Sequence, residues 1–581
     1  MSKKTLYVIL DKKFLKEEFY KSRKDVFTLN KYVLSDKEKE KFNHFFPNPK
    51  KTAREAECLF LKTNQLKNLI YEKIKKNKYF NNIKNLSELL EPFLEIKISQ
   101  YFYLNSIIPK YNNYLLIYGK QNVLISTKVE LVIAIEKINN TKNVFVGKFS
   151  NLRNNNNLLN KCLLEIQKLI IKKIIFLNKK KVNFFSDDRA YFMKYLTNKF
   201  KKKGVINLYL STSTSLLRNI KVVLSQTIQL LYIKNIKKLE LFLIPYNVKP
   251  YKLNQFNLDL EYAKFPELNF QYLKYLNKQI YDYLLITENY FEYLEDIFKR
   301  IRIRNSFFHS MRFPDLFSIS RILNKYNNDV FLLSHGSHTK QLKEIDIKAS
   351  KSIALGLTYT RDDRIKIISQ SSFCDEFLDS LKIKYLRSNF IISKVINKKS
   401  NFIKTKETKE TKETKKIRKT KILYIGTAKS LGARRYYYES SAELIGSIIE
   451  IYNRLEKFKN LLEINIRVRD VENEINNSIL KNAFKDKFDL LNFQNNLSLQ
   501  EEIKKSACII SFSSTTLEEA LNFNKPVMCF GLPSYNHLKN YDDFNLKNKY
   551  IQYNYLTLIE KALGRKFIVN QNIQRKLDYR F

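Results

Sequence analysis

The chain has 581 residues, and its 105 lysines and arginines against 57 aspartates and glutamates give a formal net charge of +48. Apolar residues make up 44% of the sequence, so the chain can bury full-sized cores, and its length predicts two or more domains. These figures exclude a peptide-like chain and a wholly disordered one.

Residues 1–395 alternate short apolar runs with helix-like stretches, which is typical of an elaborated α/β domain. The opening apolar run breaks at Asp11, so we interpret it as a strand and not as a leader peptide. No stretch of about 18 uninterrupted apolar residues occurs, and no transmembrane span is predicted. Residues 250–310 look mostly helical but fit no assignment. The predicted strands are 6–10, 114–119, 131–135, 205–211, 238–246, 330–336 and 365–371, with helices at 189–202 and 317–326.

A Lys/Thr/Glu-rich linker at 396–421 divides the chain. Thr-Lys-Glu recurs three times in KTKETKETKETKKIRKTK (404–421), a composition that cannot bury enough apolar surface to offset its ordering entropy. The predicted domains are therefore 1–395 and 422–581.

The second domain alternates apolar strands with helices. This order predicts right-handed βαβ units on a parallel sheet that is covered on both faces, a Rossmann-like arrangement. The predicted strands are 422–427, 461–470, 507–513 and 526–531, and the predicted helices are 441–458, 499–506 and 515–523.

The strongest functional signal lies in ACIISFSSTTLEEALNFNKPVMCFG (507–531), where hydroxyl residues separate a buried strand from a helix. A helix start at the carboxyl edge of a parallel sheet favours an anionic group such as a phosphate. The same residues are also typical of an ordinary helix cap. The spacing alone leaves both interpretations open.

This segment resembles the donor site of GT-B glycosyltransferases, which pair small or hydroxyl residues with Glu-Ala and then Lys-Pro-Val. The resemblance covers 422–565 and implies a GT-B-like α/β fold, with two Rossmann-like domains facing across a cleft. It also implies that Ser513, Ser514 and Thr515 face the donor phosphate and that Glu519 reaches the ribose.

The loop YIGTAKSLGARRYYYES (424–440) supplies a second candidate. Gly426 allows close backbone approach, and Lys429, Arg434 and Arg435 can neutralise a diphosphate. A surface loop that is basic because the whole protein is basic explains the sequence equally well. In GT-B proteins the corresponding loop also lines the donor site.

The run VFLLSHGSHTKQ (330–341) places two of the five histidines at the carboxyl end of a predicted strand. Imidazole can accept a proton from a sugar hydroxyl near neutral pH, so His335 and His338 are candidate bases. A His-Gly at this point resembles GT-B surface-polysaccharide and polyol-phosphate transferases. Asp362 or Asp363 is an alternative base, unless the pair lies in a solvated turn.

Several signatures are missing from the sequence. The five cysteines are far apart, and no zinc knuckle, metal-ligand cluster or Asp-x-Asp motif occurs, so no metal is predicted. Neither Gly-x-Ser-x-Gly nor Gly-x-Gly-x-x-Gly is present, which disfavours hydrolase and dehydrogenase functions. We therefore expect no cofactor, with a nucleotide-sugar acting as substrate.

These features predict a cytoplasmic, metal-independent glycosyltransferase that acts on a surface polysaccharide or lipid-linked glycan, in peripheral contact with the inner face of the membrane. Its charge suits an anionic membrane, but many Lys, Asn, Ile, Tyr and Phe residues without a single Trp also indicate an AT-rich coding bias. The alternatives are a CDP-glycerol or polyol-phosphate transferase, a non-hydrolysing sugar-nucleotide epimerase and a basic nucleic-acid-binding scaffold. The last is disfavoured because no RNA-binding or zinc-finger pattern occurs.

Overall fold

The fold was analysed in a computed structural model. It describes residues 4–76, 86–118, 121–142, 158–178, 181–186, 196, 205–211, 216–236, 238–242, 268–299, 301, 303–326, 328–334, 338–387, 419–426, 436, 439–468, 475, 477–485, 491–493, 497–514, 516–532 and 551–552. These residues form three sheets, each covered by helices, and each sheet defines a unit. The predicted α/β class is confirmed.

The amino-terminal unit is built on a five-stranded sheet of order β3-β2-β1-β4-β5, parallel except for the β4–β5 hairpin. Its longest helix begins with an Asn48 cap and Pro49 at the first turn, which satisfies amide groups that have no helical partner. The strands are β1 (Thr5–Ile9), β2 (Asp25–Thr28), β3 (Asn43–Phe45), β4 (Asn113–Tyr118) and β5 (Gln121–Ile125), and the helices are α1 (Asp36–Lys39), α2 (Pro49–Lys75), α3 (Ser87–Ile107) and α4 (Lys128–Lys142).

The central unit contains a seven-stranded parallel sheet of order β12-β11-β10-β9-β6-β7-β8. Its strands are β6 (Val182–Phe185), β7 (Ile206–Ser211), β8 (Lys238–Phe242), β9 (Ile303–Phe308), β10 (Asp329–Leu333), β11 (Lys366–Ser369) and β12 (Tyr385–Arg387). Its helices are α5 (Leu158–Asn178), α6 (Leu216–Gln229), α7 (Phe270–Phe298), α8 (Pro314–Lys325), α9 (Glu344–Ala354) and α10 (Ser372–Ser380). The first six strands have Rossmann order, with β12 added at the edge.

The carboxyl-terminal unit contains a six-stranded parallel sheet of order β15-β14-β13-β16-β17-β18, which is the Rossmann order. Its strands are β13 (Thr420–Gly426), β14 (Leu462–Val468), β15 (Leu491–Asn492), β16 (Cys508–Ser511), β17 (Val527–Cys529) and β18 (Ile551–Gln552). Its helices are α11 (Ser441–Leu455), α12 (Asn477–Phe484), α13 (Leu499–Lys505) and α14 (Thr516–Asn522). The predicted Rossmann-like fold of this part is confirmed.

The amino-terminal unit touches both other units through buried polar contacts. Glu88 at the start of α3 accepts hydrogen bonds from Arg321 and Thr360 of the central unit, at 2.7 and 2.8 Å. The Thr52 hydroxyl of α2 donates to Oε1 of Glu443 in α11 over 2.9 Å. Because buried polar groups require partners, these bonds hold the units in register.

One sequence prediction about the first 395 residues differs from the structure. Residues 131–135, predicted as a strand, lie in helix α4, where Leu131, Val132 and Ile135 are buried along one face. A five-residue apolar run does not distinguish a strand from a buried helical turn. The stretch that gave no assignment holds helix α7 and strand β9.

Not every prediction falls on described residues. The helix predicted at 189–202 lies outside them except for Leu196, and so does the proposed linker up to residue 418. Among the helices that the structure does describe, none combines the length and apolar character needed to cross a membrane.

Candidate functional site

Strand order places a topological switch point in the carboxyl-terminal sheet between β13 and β16. From β13 the chain adds β14 and β15 on one side, and then returns to add β16 on the other. The two strands are in register, with Ile425 opposite Ser511, whose hydroxyl donates to the Ile425 carbonyl over 2.7 Å. Open α/β sheets bind ligands in the crevice outside the carboxyl ends of such strands.

Both halves of the predicted donor site begin at this crevice. Ser513 and Ser514 follow β16 and are half-buried, while Gly426 ends β13. The Ser514 hydroxyl accepts the Thr516 amide at 3.2 Å and donates to the Thr516 hydroxyl at 2.8 Å. It therefore binds the first amide group of α14, as the interpretation as a helix cap expects, and lies at the crevice. Thr515 lies outside the described residues.

Gly426 packs closely against helix α11. A Cβ atom there would lie 2.5 Å from Cδ1 of Leu444, in the first turn of α11. Glycine at this position thus lets the helix approach the end of the strand, one of the roles of glycine in Rossmann-like turns. Lys429, Arg434 and Arg435 of the same loop lie outside the described residues, so their placement stays a prediction.

Helix α14 carries two adjacent glutamates below the crevice. Burial, and then the charge of Glu518, raise the pKa of the Glu519 carboxyl above its ordinary value. A carboxyl of this kind gives up its proton less readily than an exposed glutamate. The contact of Glu519 with a ribose stays a prediction.

The three units meet beside the crevice. Tyr436 stacks on Phe60 of α2 with ring centroids 5.3 Å apart, and its hydroxyl donates to Oδ1 of Asp346 in α9 over 2.8 Å. Phe512, the residue before Ser513, belongs to the same buried cluster. Ser513 therefore follows directly on a residue of the junction between units.

The central sheet has a switch point of its own, between β6 and β9. Ser186 directly follows β6 and His309 directly follows β9. The buried Ser186 hydroxyl accepts the His309 amide at 3.2 Å and lies 2.9 Å from Nδ1 of the half-buried imidazole. Sequence reasoning missed His309 because IRNSFF (303–308) was not recognised as a strand. The apolar end of that run, followed by His-Ser, was the available signal.

The loop after β10 contains the predicted histidines. His335 lies outside the described residues. His338 is buried, with Nδ1 2.6 Å from the Thr358 hydroxyl and its ring 5.7 Å from Phe377 of α10. One helical turn away, Phe373 packs on the core of the carboxyl-terminal unit. Helix α10 thus contacts both His338 and that unit.

Asp362 lies in a buried ion network. Its carboxylate accepts hydrogen bonds from Arg364 at 3.1 Å and Asn324 at 3.3 Å, and Arg321 lies 3.5 Å away. Burial alone raises the pKa of this carboxyl, but the Arg364 hydrogen bond and the Arg321 charge outweigh it and lower the pKa. A carboxylate held in this way is a weak base. Asp363, the alternative, is exposed.

Comparison with known proteins gives one family match. Residues 393–546 match the model of the LIC12162 family of transferases. The predicted resemblance to a transferase is thereby confirmed for this segment, which includes the carboxyl-terminal switch point. The chain has no match among curated protein sequences.

Solved structures similar to this chain include sugar-nucleotide enzymes. MnaA from S. aureus, in a co-structure with UDP, is 12% identical over 69% of this chain and 91% of its own, with a TM-score of 0.37. UDP-GlcNAc 2-epimerase from Neisseria meningitidis, bound to UDP-GlcNAc, is 14% identical over 60% of this chain and 82% of its own, with a TM-score of 0.31. The UDP-forming trehalose-phosphate synthase from Burkholderia vietnamiensis is 7% identical over 68% of this chain and 94% of its own, with a TM-score of 0.33.

Proposed function

We propose that this protein is a glycosyltransferase that moves a sugar from a nucleotide-sugar to a glycan or lipid-linked acceptor. The observation that carries the proposal is the position of the β13–β16 switch point at the junction between units. There Ser513 and Ser514 follow a strand end within a segment that matches a transferase family. A crevice of this kind suits a nucleotide diphosphate.

The donor side uses three kinds of group. Ser513, Ser514 and Thr515 supply hydroxyls toward phosphate oxygens, while Glu519 contacts the ribose. The negative charge that develops on the leaving nucleotide is stabilised by the basic side chains of Lys429, Arg434 and Arg435.

The acceptor side lies at the carboxyl edge of the central sheet. A histidine there, His335 or the newly located His309, accepts the proton of the acceptor hydroxyl. The acceptor oxygen then forms its bond to the anomeric carbon as the bond from that carbon to phosphate breaks. Ser186 fixes the orientation of the His309 ring through its contact with Nδ1. In this scheme neither the buried His338 nor the ion-paired Asp362 acts as the base.

The acceptor and the cellular location belong to the same proposal. A surface polysaccharide or lipid-linked glycan is built on the cytoplasmic face of a membrane, and a net charge of +48 favours contact with anionic lipid. The protein therefore works in the cytoplasm, at the inner face of the membrane.

A donor panel tests the proposal. The full chain is incubated with UDP-, CDP-, GDP- and CMP-linked sugars and with CDP-glycerol, and product formation and binding are both measured. Turnover of a nucleotide-sugar only with an acceptor supports transfer. Conversion of a nucleotide-sugar to its epimer without an acceptor indicates epimerisation, and turnover of CDP-glycerol alone indicates polyol-phosphate transfer. Tight, salt-sensitive binding of nucleic acid with no binding of any donor would refute the proposal.

A further inference from the structure

Two helices of the central unit present large apolar side chains to solvent. On α5, Leu169 and Phe176 are 65% and 81% exposed, and on α6, Leu217 is 73% exposed. Single exposed leucines are ordinary, but a contiguous set marks an interaction surface. We name this set the apolar–basic surface; it comprises Leu169, Lys173 and Phe176 of α5, Leu217, Lys221, Leu224 and Ile228 of α6, and Leu231 and Tyr232 in the turn that follows.

The two helices lie side by side at one edge of the central sheet. The side-chain amides of Gln167 in α5 and Gln226 in α6 both donate to the backbone carbonyl of Glu240, at 3.0 and 2.6 Å. Glu240 belongs to β8, the edge strand of the sheet. Both helices are therefore anchored at one point, and their outer faces form one surface.

Helical spacing makes each outer face regular. The exposed residues of α6 in this surface are spaced by four, three and four positions, at 217, 221, 224 and 228. They therefore form one stripe along the helix. Asn219, Val223 and Gln226 are buried and lie on the opposite face of α6. The exposed stripe is thus a second face, distinct from the one that packs on the sheet.

The charge of this region selects the kind of partner. The segment 216–235 contains three basic residues, Arg218, Lys221 and Lys234, and no acidic one, while helix α5 contains four lysines and one acidic residue, the exposed Glu165. The exposed Lys173 adds a positive charge beside Phe176 on α5. A second copy of a chain that carries +48 would be repelled, and nucleic acid offers no apolar layer for the leucines.

We propose that the apolar–basic surface docks the protein onto an anionic lipid bilayer. The leucines and Phe176 enter the boundary between headgroups and acyl chains, while Lys173 and Lys221 contact lipid phosphates, as does the exposed Arg218 at the border of this surface. This proposal rests on the proposed function in one respect, because an enzyme that uses lipid-linked acceptors works at a membrane. The apolar–basic surface itself follows from the exposed side chains, their helical spacing and their charge.

Vesicle co-sedimentation of the full chain tests this proposal. We expect binding to phosphatidylcholine vesicles that contain phosphatidylglycerol, and much weaker binding to phosphatidylcholine alone. The variant Leu224→Glu with Ile228→Glu should lower the partition coefficient by about tenfold or more. Leu61→Glu with Leu69→Glu, a matched pair of exposed leucines on α2, should bind like the parent.

A second pair of variants isolates the charge contribution. Arg218→Glu with Lys221→Glu should weaken binding to anionic vesicles by about tenfold or more, whereas Lys62→Glu with Lys75→Glu on α2 should change it little. Circular dichroism melting curves confirm that each variant is folded. Donor binding, measured by calorimetry on the same preparations, should be unchanged in all four, so a failed donor site and a failed membrane surface give different results.

Three outcomes overturn the inference. They are absence of parent binding to anionic vesicles, equal binding by the α6 variants and the parent, and a parent dimer that Leu224→Glu with Ile228→Glu dissociates in light scattering. The last outcome would assign the surface to self-association.

Discussion

The Tyr436 hydroxyl donates a hydrogen bond to Oδ1 of Asp346 over 2.8 Å, and this bond joins the carboxyl-terminal unit to helix α9 of the central unit. Both groups are buried, and Tyr436 also stacks on Phe60 of the amino-terminal unit. The contact lies beside Phe512, which directly precedes the proposed donor residues. The geometry of the donor crevice is therefore coupled to the packing of all three units.

Tyr436→Phe tests this coupling. The ring stack remains, but Asp346 loses a buried donor, so the free energy of unfolding should fall by about 1–3 kcal/mol. Denaturant titration measures the change. Tyr232→Phe, at an exposed ring, is the matched control and should change stability little. A double-mutant cycle with Asp346→Asn should give a coupling energy of about 0.5 kcal/mol or more, and a value near zero would contradict the role assigned to the bond.

Asp362→Asn distinguishes a structural carboxylate from a base. Arg321 keeps its ion pair with Glu88 and the Arg364 side chain is half exposed, so we expect the lost hydrogen bonds to Asp362 to lower the free energy of unfolding by about 1–3 kcal/mol. Asp363→Asn, at the exposed neighbour, should leave the stability unchanged. A stable Asp362→Asn protein without turnover would instead identify Asp362 as the catalytic base.

The same residue predicts a pH dependence of stability. Since the folded-state pKa of Asp362 lies below its ordinary value, the unfolded state binds more protons, and stability rises with pH across that interval. The contribution is complete above about pH 4 and disappears as the pH falls through the folded-state pKa. Unfolding of the parent should therefore become easier toward low pH. Asp362→Asn should lack this part of the dependence, and identical pH profiles for the two proteins would be evidence against the ion network.

Gly426→Ala should damage the donor unit through packing. The new methyl group would lie 2.5 Å from Cδ1 of Leu444, so this buried side chain or helix α11 must shift, at a cost of roughly 1–3 kcal/mol of stability. Gly426→Ala with Leu444→Ala provides the test, because the smaller neighbour removes the clash. We expect Gly426→Ala to lower the free energy of unfolding less in the Leu444→Ala background than in the parent. Equal losses from Gly426→Ala in both backgrounds would show that the clash is not the cause.

Histidine variants separate catalysis from donor binding. His335→Ala should lower turnover with donor affinity kept, and His309→Ala should do the same if His309 is the base. If one of the two is the base, its variant should also lose the limb of the pH–rate profile that reports imidazole titration. Ser186→Ala should shift that limb without abolishing turnover, because Ser186 acts on the His309 ring. Parent-like turnover in both histidine variants would remove imidazole from the mechanism.

Sequence reasoning predicted the carboxyl-terminal unit well for a physical reason. Its central strands β13, β16 and β17 are short and mostly apolar, and some of the helices between the strands have clear caps, such as the Ser440–Glu443 and Ser498–Glu501 capping boxes. In such a unit local signals and tertiary structure agree. The sequence therefore predicts the sheet edge at which Ser513 and Ser514 lie.

The first 395 residues were harder because local signals are ambiguous there. LVIAI (131–135) is helical although it resembles a buried strand. In the strand that precedes His309, the polar residues Arg304 and Asn305 interrupt the apolar pattern that would predict a strand. The two sheets of this part pair strands far apart in sequence, such as β6 with β9. Sequence periodicity does not show such pairings, so the Ser186–His309 contact required the structure.

The central claim is that Ser513 and Ser514 stand at a crevice for the phosphates of a nucleotide-sugar. Calorimetric titration of the full chain with the donor panel, repeated on Ser513→Ala with Ser514→Ala and on the distant cap variant Ser498→Ala, tests it most directly. We predict saturable binding of at least one nucleotide-sugar, a dissociation constant raised by about tenfold or more in the double variant, and parent-like binding by Ser498→Ala. Identical affinity in all three proteins, or no binding of any nucleotide-sugar by the parent, would contradict it.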